Sequence, residues 1–233
     1  MSLAIPFRTE TLGCISSTHD LMKERLETGE KVHGMVIRAE EQTSGRGQRR
    51  RDWQSSRGGS YQTLAVKDTA RQLQKPFAAT AIAIGLAETL PEYGIQVGIK
   101  WPNDLYYKNK KVAGILCEYT AGHLLVSVGM NVNNDVPTGA TALRGLDVEG
   151  VSNFVLAGLQ RGLEHLASDV NLPALYAPYD VLVGKRLRLS LSSTLHEGVA
   201  AGIDQQGCLL LETQGKVINI CHSHTRSSTE VIT

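Results

Sequence analysis

Residues 45–53, Gly-Arg-Gly-Gln-Arg-Arg-Arg-Asp-Trp, place two glycines and four arginines in nine positions and end on one of the chain's two tryptophans. Glycine lets backbone N–H groups come close to a ligand, arginine offers planar donor forks to phosphate or carboxylate, and an indole face can stack on a base. The segment is a candidate anion cradle. Further along, Lys100-Trp101-Pro102-Asn103-Asp104 follows an apolar run, so the proline ends the strand and leaves Asn103 and Asp104 on a rigid rim. A rim carboxylate beside a phosphate cradle suits magnesium, which takes one or two protein carboxylates together with substrate phosphates. The other reading of Asn-Asp is a plain turn. Lys110 and Lys111 open the next apolar run, and strand alternation sends one to solvent and the other inward. There Lys111 would stabilise charge on a carboxylate attacking a phosphate; two solvated lysines is the alternative. Gly114, and Gly129 in Gly129-Met130-Asn131-Val132-Asn133, are glycines within strands, which mark a bulge or a ligand against the backbone.

The elements that must hold these groups are legible from periodicity. Ser17 or Thr18 caps a helix with Leu21, Met22 and Leu26 on one face, ending at Gly29. Strands are expected over 32–38 and 63–66, with the cradle as the loop between them, and a buried helix over 76–90 bounded by Pro76 and Pro91. Strands over 97–100, 111–119 and 123–132 follow, the last two forming a hairpin at Thr120-Ala121-Gly122. Residues 133–150 read as a mobile loop over the site, expected to become ordered when ligands bind. Ser152 then caps a helix carrying Val155, Leu159, Leu163 and Leu166. After Pro178 come short strands at 186–191, 197–203, 208–212 and 216–220, an appendage of about 50 residues that needs a larger domain to dock on.

Composition bounds the function. The 233 residues are 42% hydrophobic, and 24 basic against 23 acidic residues give a net charge of +1, too balanced for a sequence-independent nucleic-acid binder. Cys14, Cys117, Cys208 and Cys221 are widely spaced, so neither a zinc knuckle nor a disulfide framework is expected, and a reduced, cytoplasmic setting fits. His222 and His224 beside Cys221 read as an exposed turn rather than metal ligands. No apolar run is long enough to span a membrane, and no signal peptide is evident.

Taken in order, Gln42-Thr43-Ser44-Gly45-Arg46-Gly47, Trp53, residues 100–104, 111–116 and 129–133 resemble the catalytic core of biotin–protein ligases, over roughly residues 14–133. The resemblance implies a mixed α/β catalytic domain over 1–180, similar to class II aminoacyl-tRNA synthetases and lipoyl ligases, and an SH3-like β-barrel domain over 181–233. It implies ATP-dependent activation of biotin to biotinyl-5′-adenylate, with magnesium, and transfer to a lysine of a biotin carboxyl carrier domain. By the same resemblance Ser17, Thr18, Gln42, Gly45, Arg46, Lys111, Gly114 and Ile115 would bind biotin. Gly47, Gln48, Arg49, Arg51, Trp53, Asn103, Asp104 and Asn131 would bind ATP, Asp104 would meet the metal, and Lys111 and Arg46 would be catalytic. A homodimer is implied. With no helix-turn-helix before Thr11, no DNA partner is expected. Gln48 stands where the family commonly has arginine, which implies weaker retention of the adenylate unless Arg49, Arg50 or Arg51 compensates. His19 and Ser127 stand where asparagine and glycine are frequent. A lipoate or octanoate ligase of the same fold, and a biotin sensor without turnover, are the rival readings.

Overall fold

The computed structural model describes residues 5–191, 194–221 and 230–232. Seven strands form one mixed sheet: β1 (Arg8–Ile15), β2 (Met35–Gln42), β3 (Ser60–Lys67), β4 (Gly98–Lys100), β5 (Asp104–Tyr107), β6 (Lys110–Thr120) and β7 (His123–Met130). Their order is β1-β2-β3-β7-β6-β5-β4, with β1 parallel to β2 and the other pairs antiparallel. Period-two alternation divides the sheet's residues between two cores. Met35, Ile37, Ala65 and Leu125 meet helix α1 (Thr18–Glu27) on one face. Val36, Leu64, Val66 and Val126 join the larger core with α2 (Ala78–Thr89) and α3 (Val148–Ala167) on the other.

Local chemistry sets the helix ends. The Ser17 hydroxyl accepts from the Asp20 N–H at 3.2 Å and caps α1, which stops at Thr28 before Gly29 at φ +83°. Helix α2 starts two residues after Pro76, and Pro91 lies in a 3-10 turn that follows it, Leu90–Tyr93. Helices α2 and α3 approach through glycine: a Cβ on Gly85 would lie 2.4 Å from both Gly158 O and Gly162 N. Ser152 does not cap α3. Asp147 does, accepting from Gly150 N at 2.6 Å, while the Ser152 hydroxyl, inside the helix, meets Val148 O and Ser60 Oγ at 2.8 Å.

Segment 133–147 is stitched down rather than loose. Asn133 Nδ2 donates to Leu146 O, its Oδ1 accepts from Gly145 N, and Thr141 N and Leu143 N donate to Lys111 O and Asn131 O. A composition rich in Asn, Thr and Gly here supplies side chains that tie backbone, which composition alone does not distinguish from mobility.

After α4 (Leu172–Tyr176) a second sheet forms from β8 (Arg186–Leu191), β9 (Thr194–Ile203), β10 (Leu209–Thr213), β11 (Lys216–Ile220) and β12 (Glu230–Val231), in the open order β11-β10-β9-β8-β12 among the described residues. Its Leu187, Leu189, Ile203, Leu209 and Leu211 share the core of α2 and α3. Trp101 Nε1 donates to Gly207 O at 2.9 Å, fastening the first sheet's rim to the second. The expectation of unpaired cysteines fails at one pair: Cys208 and Cys221 form a disulfide. The β10–β11 hairpin causes it, because Leu209 opposes Ile220 and the next positions out are the two cysteines. Cys14 and Cys117 are free, and burial pushes the Cys117 thiol up to about 12, which makes it a poor nucleophile. His222 and His224 lie outside the described residues.

Candidate active site

On the α1 face, the apolar pair Ala65 and Leu125 gives way along the sheet to the polar pair Thr63 and Ser127, and then to the glycine pair Gly114 and Gly129. This gradient makes the floor of a cavity of about 170 Å³ between α1, the cradle and the β4–β5 turn. Its walls include Ser17, Thr18, His19, Gln42, Arg46, Gly47, Gln48, Arg49, Arg51, Trp53, Lys100, Asn103, Asp104, Lys111, Gly114 and Ile115. Segments far apart in sequence thus converge on one cavity, as the family resemblance implies.

The cradle is a short ladder continuing β2. Gln42 bridges to Ser55 and Arg46 to Asp52, Trp53 N donates to Gly45 O at 2.8 Å, and Gly47 N donates to Arg51 O at 2.8 Å. Gly45 is needed for closeness: a Cβ there would lie 2.4 Å from Trp53 O. It does not line the cavity; it lets the ladder close. At the polar end, Gln42 Oε1 accepts from Thr18 N at 2.8 Å, and Gln42 Nε2 donates to Ser55 Oγ at 2.8 Å.

Trp53 lies flat on the glycine floor. A Cβ on Gly129 would be 2.4 Å from the indole Nε1, and one on Gly114 would be 3.0 Å from Cζ3. The indole Nε1 is buried and has no hydrogen-bond partner among the described residues. Lys111 Nζ sits 5.2 Å from the Trp53 ring centroid and 2.7 Å from Asp104 Oδ1, while Lys110 faces solvent. Arg46 is paired with Asp20 at 2.7 Å.

Cations crowd this end. Burial, and then the neighbouring Arg51, hold Arg49 below the usual guanidinium value. Burial likewise lowers Lys100, partly offset by Asp104. A desolvated cluster of like charge is relieved by an anion, so it favours phosphate or carboxylate entry. The Arg50 side chain lies outside the described residues.

Not every expected residue presents its side chain. Asn103 Nδ2 donates to Ile115 O at 2.7 Å and Ile115 N donates to Asn103 O at 3.1 Å, so the asparagine amide props the wall. Ile115 belongs to the core on the α2 side, and alternation gives the cavity its backbone. Asn131 does not line the cavity: its amide donates to Thr141 O and its Oδ1 accepts from Asn134. His19, Lys100 and Ser127 were not expected as wall residues. His19 follows the capped Ser17-Thr18 pair, and helical spacing from buried Met22 would have turned it inward.

Comparison with known proteins agrees with this geometry. Residues 12–135, more than half of the chain, match the model of the biotin/lipoate A/B protein ligase family. The chain belongs to this family. It is 32% identical to the bifunctional ligase/repressor BirA of Escherichia coli, over 88% of this chain and 69% of that one. It is 30% identical to the biotin–[acetyl-CoA-carboxylase] ligase of Mycobacterium tuberculosis, over 87% and 82%. A solved biotin protein ligase from Aquifex aeolicus, in complex with biotin and ATP, superposes with a TM-score of 0.83 at 25% identity, over 97% of this chain and 99% of that one. Among the described residues no group of three or more His, Cys, Asp or Glu side chains is placed to hold a metal, and no helix is long and apolar enough to cross a membrane. Asp104 is a single half-buried carboxylate. It fits magnesium only as one ligand of an ion brought with nucleotide phosphates.

Proposed function

We propose that this chain is an ATP-dependent biotin–protein ligase that forms biotinyl-5′-adenylate and passes the biotinyl group to a lysine of a biotin carboxyl carrier domain. The observation that carries it is the convergence of Lys111, the cradle arginines and a polar recess at Thr18 and Gln42 on one cavity floored by glycine. Ser17, Thr18 and Gln42 take the ureido head, Gly114 and the Ile115 backbone line the chain, and Arg46 and Lys111 meet the carboxylate. Gly47, Gln48, Arg49, Arg51, Trp53, Asn103 and Asp104 surround the nucleotide, with Gly45 and Asn131 supporting the wall from behind. Magnesium supplies charge neutralisation of the departing pyrophosphate, and Asp104 would hold it.

Two anions repel unless held together, so the first task of the site is neutralisation. A biotin carboxylate oxygen attacks the α-phosphorus, and the bond to the departing pyrophosphate breaks. Lys111, drawn from Asp104, stabilises the charge gathered on the α-phosphate. In the second step the neutral lysine amine of the acceptor attacks the acyl carbon, adenylate leaves, and the amine proton goes to solvent. Among the described residues β1 is an edge strand, which supports a homodimer, and the need for ATP and a carboxylase acceptor supports a cytoplasmic setting. In this reading residues 1–180 are the catalytic domain and 181–233 an SH3-like domain, docked through the shared core.

The test is pyrophosphate release from ATP and magnesium. Biotin-dependent release supports the ligase. Saturable biotin binding without release marks a sensor, and release with lipoate or octanoate instead of biotin marks the sister activity.

A further inference from the structure

One turn of the second sheet touches the rim of the active site. Residues 204–208 connect β9 to β10, and Asp204 shapes them: its N–H donates to Cys208 O at 2.9 Å, and its carboxylate accepts from Gln206 N, Cys208 N and Asn219 Nδ2. Gly207, at φ +72°, presses the turn against the start of α2, where a Cβ would lie 2.5 Å from Phe77 Cβ. The Gly207 carbonyl accepts from Trp101 Nε1 at 2.9 Å, and Trp101 stands between Lys100 and Pro102 in the cavity wall.

The Cys208–Cys221 bond ends on this turn. Gly207 C=O and Cys208 N–H share one planar peptide, so a shift of Cys208 re-aims the acceptor that Trp101 uses. Two ties run from the end of β11 to the turn, Asn219 to Asp204 and Cys221 to Cys208, and only the second is covalent. The hairpin does not need that bond to form, because β10 and β11 are already joined by five register pairs and by the positive-φ turn at Gln214 and Gly215. Among the described residues β11 is an edge strand, Cys208 is buried and Cys221 is partly exposed, so a thiolate reaches the bond from the Cys221 side. A reaction fed by ATP and a carboxylase acceptor belongs in a compartment where such a bond is not permanent.

We propose that Cys208–Cys221 is an exchangeable redox site, whose reduction by a dithiol loosens the hold of Gly207 on Trp101 and slows formation of the adenylate. One thiolate of the dithiol attacks Cys221 Sγ, the S–S bond breaks, and Cys208 leaves as a thiolate that takes a proton. The second thiolate of the dithiol then attacks the mixed disulfide and frees Cys221, so the protein gains two electrons and two protons while the dithiol is oxidised to a disulfide. The rim that loosens carries Lys100, Asn103 and Asp104, and Asp104 holds Lys111 at 2.7 Å, so positioning is lost where charge gathers. Val181 N still donates to Ile99 O at 3.1 Å, which keeps the second sheet docked and makes the effect partial. The inference rests on the ligase reading above for the reaction that slows.

Incubating the unaltered chain with dithiothreitol is expected to raise its thiol count, read in denaturant, from two to four. Biotin-dependent pyrophosphate release at saturating substrates should then fall about fivefold, with the KM for biotin changed less than about twofold, and recover when oxidised glutathione rebuilds the bond. The double variant Cys208→Ala and Cys221→Ala should show the slow rate with and without the dithiol. Trp101→Phe keeps a ring but has no N–H, so its rate should be slow from the start and indifferent to the dithiol. In a Trp53→Phe background Trp101 is the sole tryptophan, and its emission should shift on reduction. A thiol count unchanged by the dithiol, a full count with an unchanged rate, or a Trp101→Phe rate that still responds to the dithiol overturns the inference. Loss of far-ultraviolet circular dichroism on reduction also overturns it, because the bond is then a folding staple. Should the double variant fail to fold, the dithiol titration of the unaltered chain decides alone. A chain that releases no pyrophosphate in either state overturns the proposed function, and the Trp101 emission still decides the redox link.

Discussion

The α2–α3 interface and the cavity floor both depend on glycine, for different ends. At Gly85, Gly158 and Gly162 the missing side chains let two helix backbones meet, so the space is filled by protein and contributes to stability. At Gly114 and Gly129 the missing side chains let a flat ring lie on the sheet. The helices close their gap for good, whereas the floor is covered by an indole whose N–H has no hydrogen-bond partner among the described residues and by a partly exposed lysine paired with Asp104. Packing without alternatives belongs to the scaffold, and packing that another group can replace belongs to the site.

The largest effect that would sharpen this contrast is at Lys111. Lys111→Ala is expected to lower the rate of biotin-dependent pyrophosphate release by about 10²–10³-fold, as loss of one transition-state donor does elsewhere. Thermal unfolding should change little, since Lys111 is a partly exposed group. Gly85→Val should do the reverse, costing about 3 kcal/mol in denaturant unfolding because the added carbons meet backbone rather than a yielding side chain. Biotin affinity per folded molecule is expected to be unchanged. Gly129→Val should leave stability nearly intact but displace Trp53, weakening biotin binding by about tenfold and shifting the indole fluorescence. A Gly129→Val protein that unfolds like Gly85→Val would break the comparison.

Much of this was legible in the sequence because strong local signals and tertiary burial agree. Ser17, Gly29, the 120–122 turn and the strands β8 and β11 stand where residue type predicts. Strand β1 was missed because mostly exposed Arg8–Ile15 carries no apolar alternation, its partner being the parallel β2. Strand β5 was hidden behind the Trp-Pro-Asn-Asp turn and has only four residues. The Cys208–Cys221 disulfide was accessible, since Gln214 and Gly215 form a two-residue turn with positive φ that fixes the register and sets the cysteines opposite each other. The convergence of motifs on one cavity was legible only through the family resemblance that their order carries. The His19–Ser127 contact was not legible, because it joins residues 108 apart through a register that only the fold supplies.

Smaller effects probe the cradle and the cavity's outer support. Gln48 lines the cavity with an uncharged amide, and Arg49 and Arg51 flank the same space. We expect combined Arg49→Ala and Arg51→Ala changes to speed release of the adenylate several-fold in a single-turnover filter assay, as charge-assisted bonds of about 1.5–3 kcal/mol are lost. Tight retention unaffected by these changes and by Arg50→Ala would end the idea that neighbouring arginines compensate for Gln48. The smallest effect is acid sensitivity. The lowered carboxyls of Glu118 and Glu10 contribute stability that is present above the ordinary carboxylate range and is lost as pH falls through their folded values. Glu118→Gln should flatten that decline below about pH 4.5 by less than about 1 kcal/mol, because the pair is partly exposed.

The central claim is that this cavity activates biotin and delivers it to protein. Incubating the chain with biotin, ATP, magnesium and a biotin carboxyl carrier domain, and then measuring the intact mass of the acceptor, tests it most directly. A gain of one biotinyl group that requires ATP, is lost with Lys111→Ala, and maps to a single acceptor lysine is the predicted result. An acceptor that stays unmodified while the chain binds biotin and ATP would contradict it.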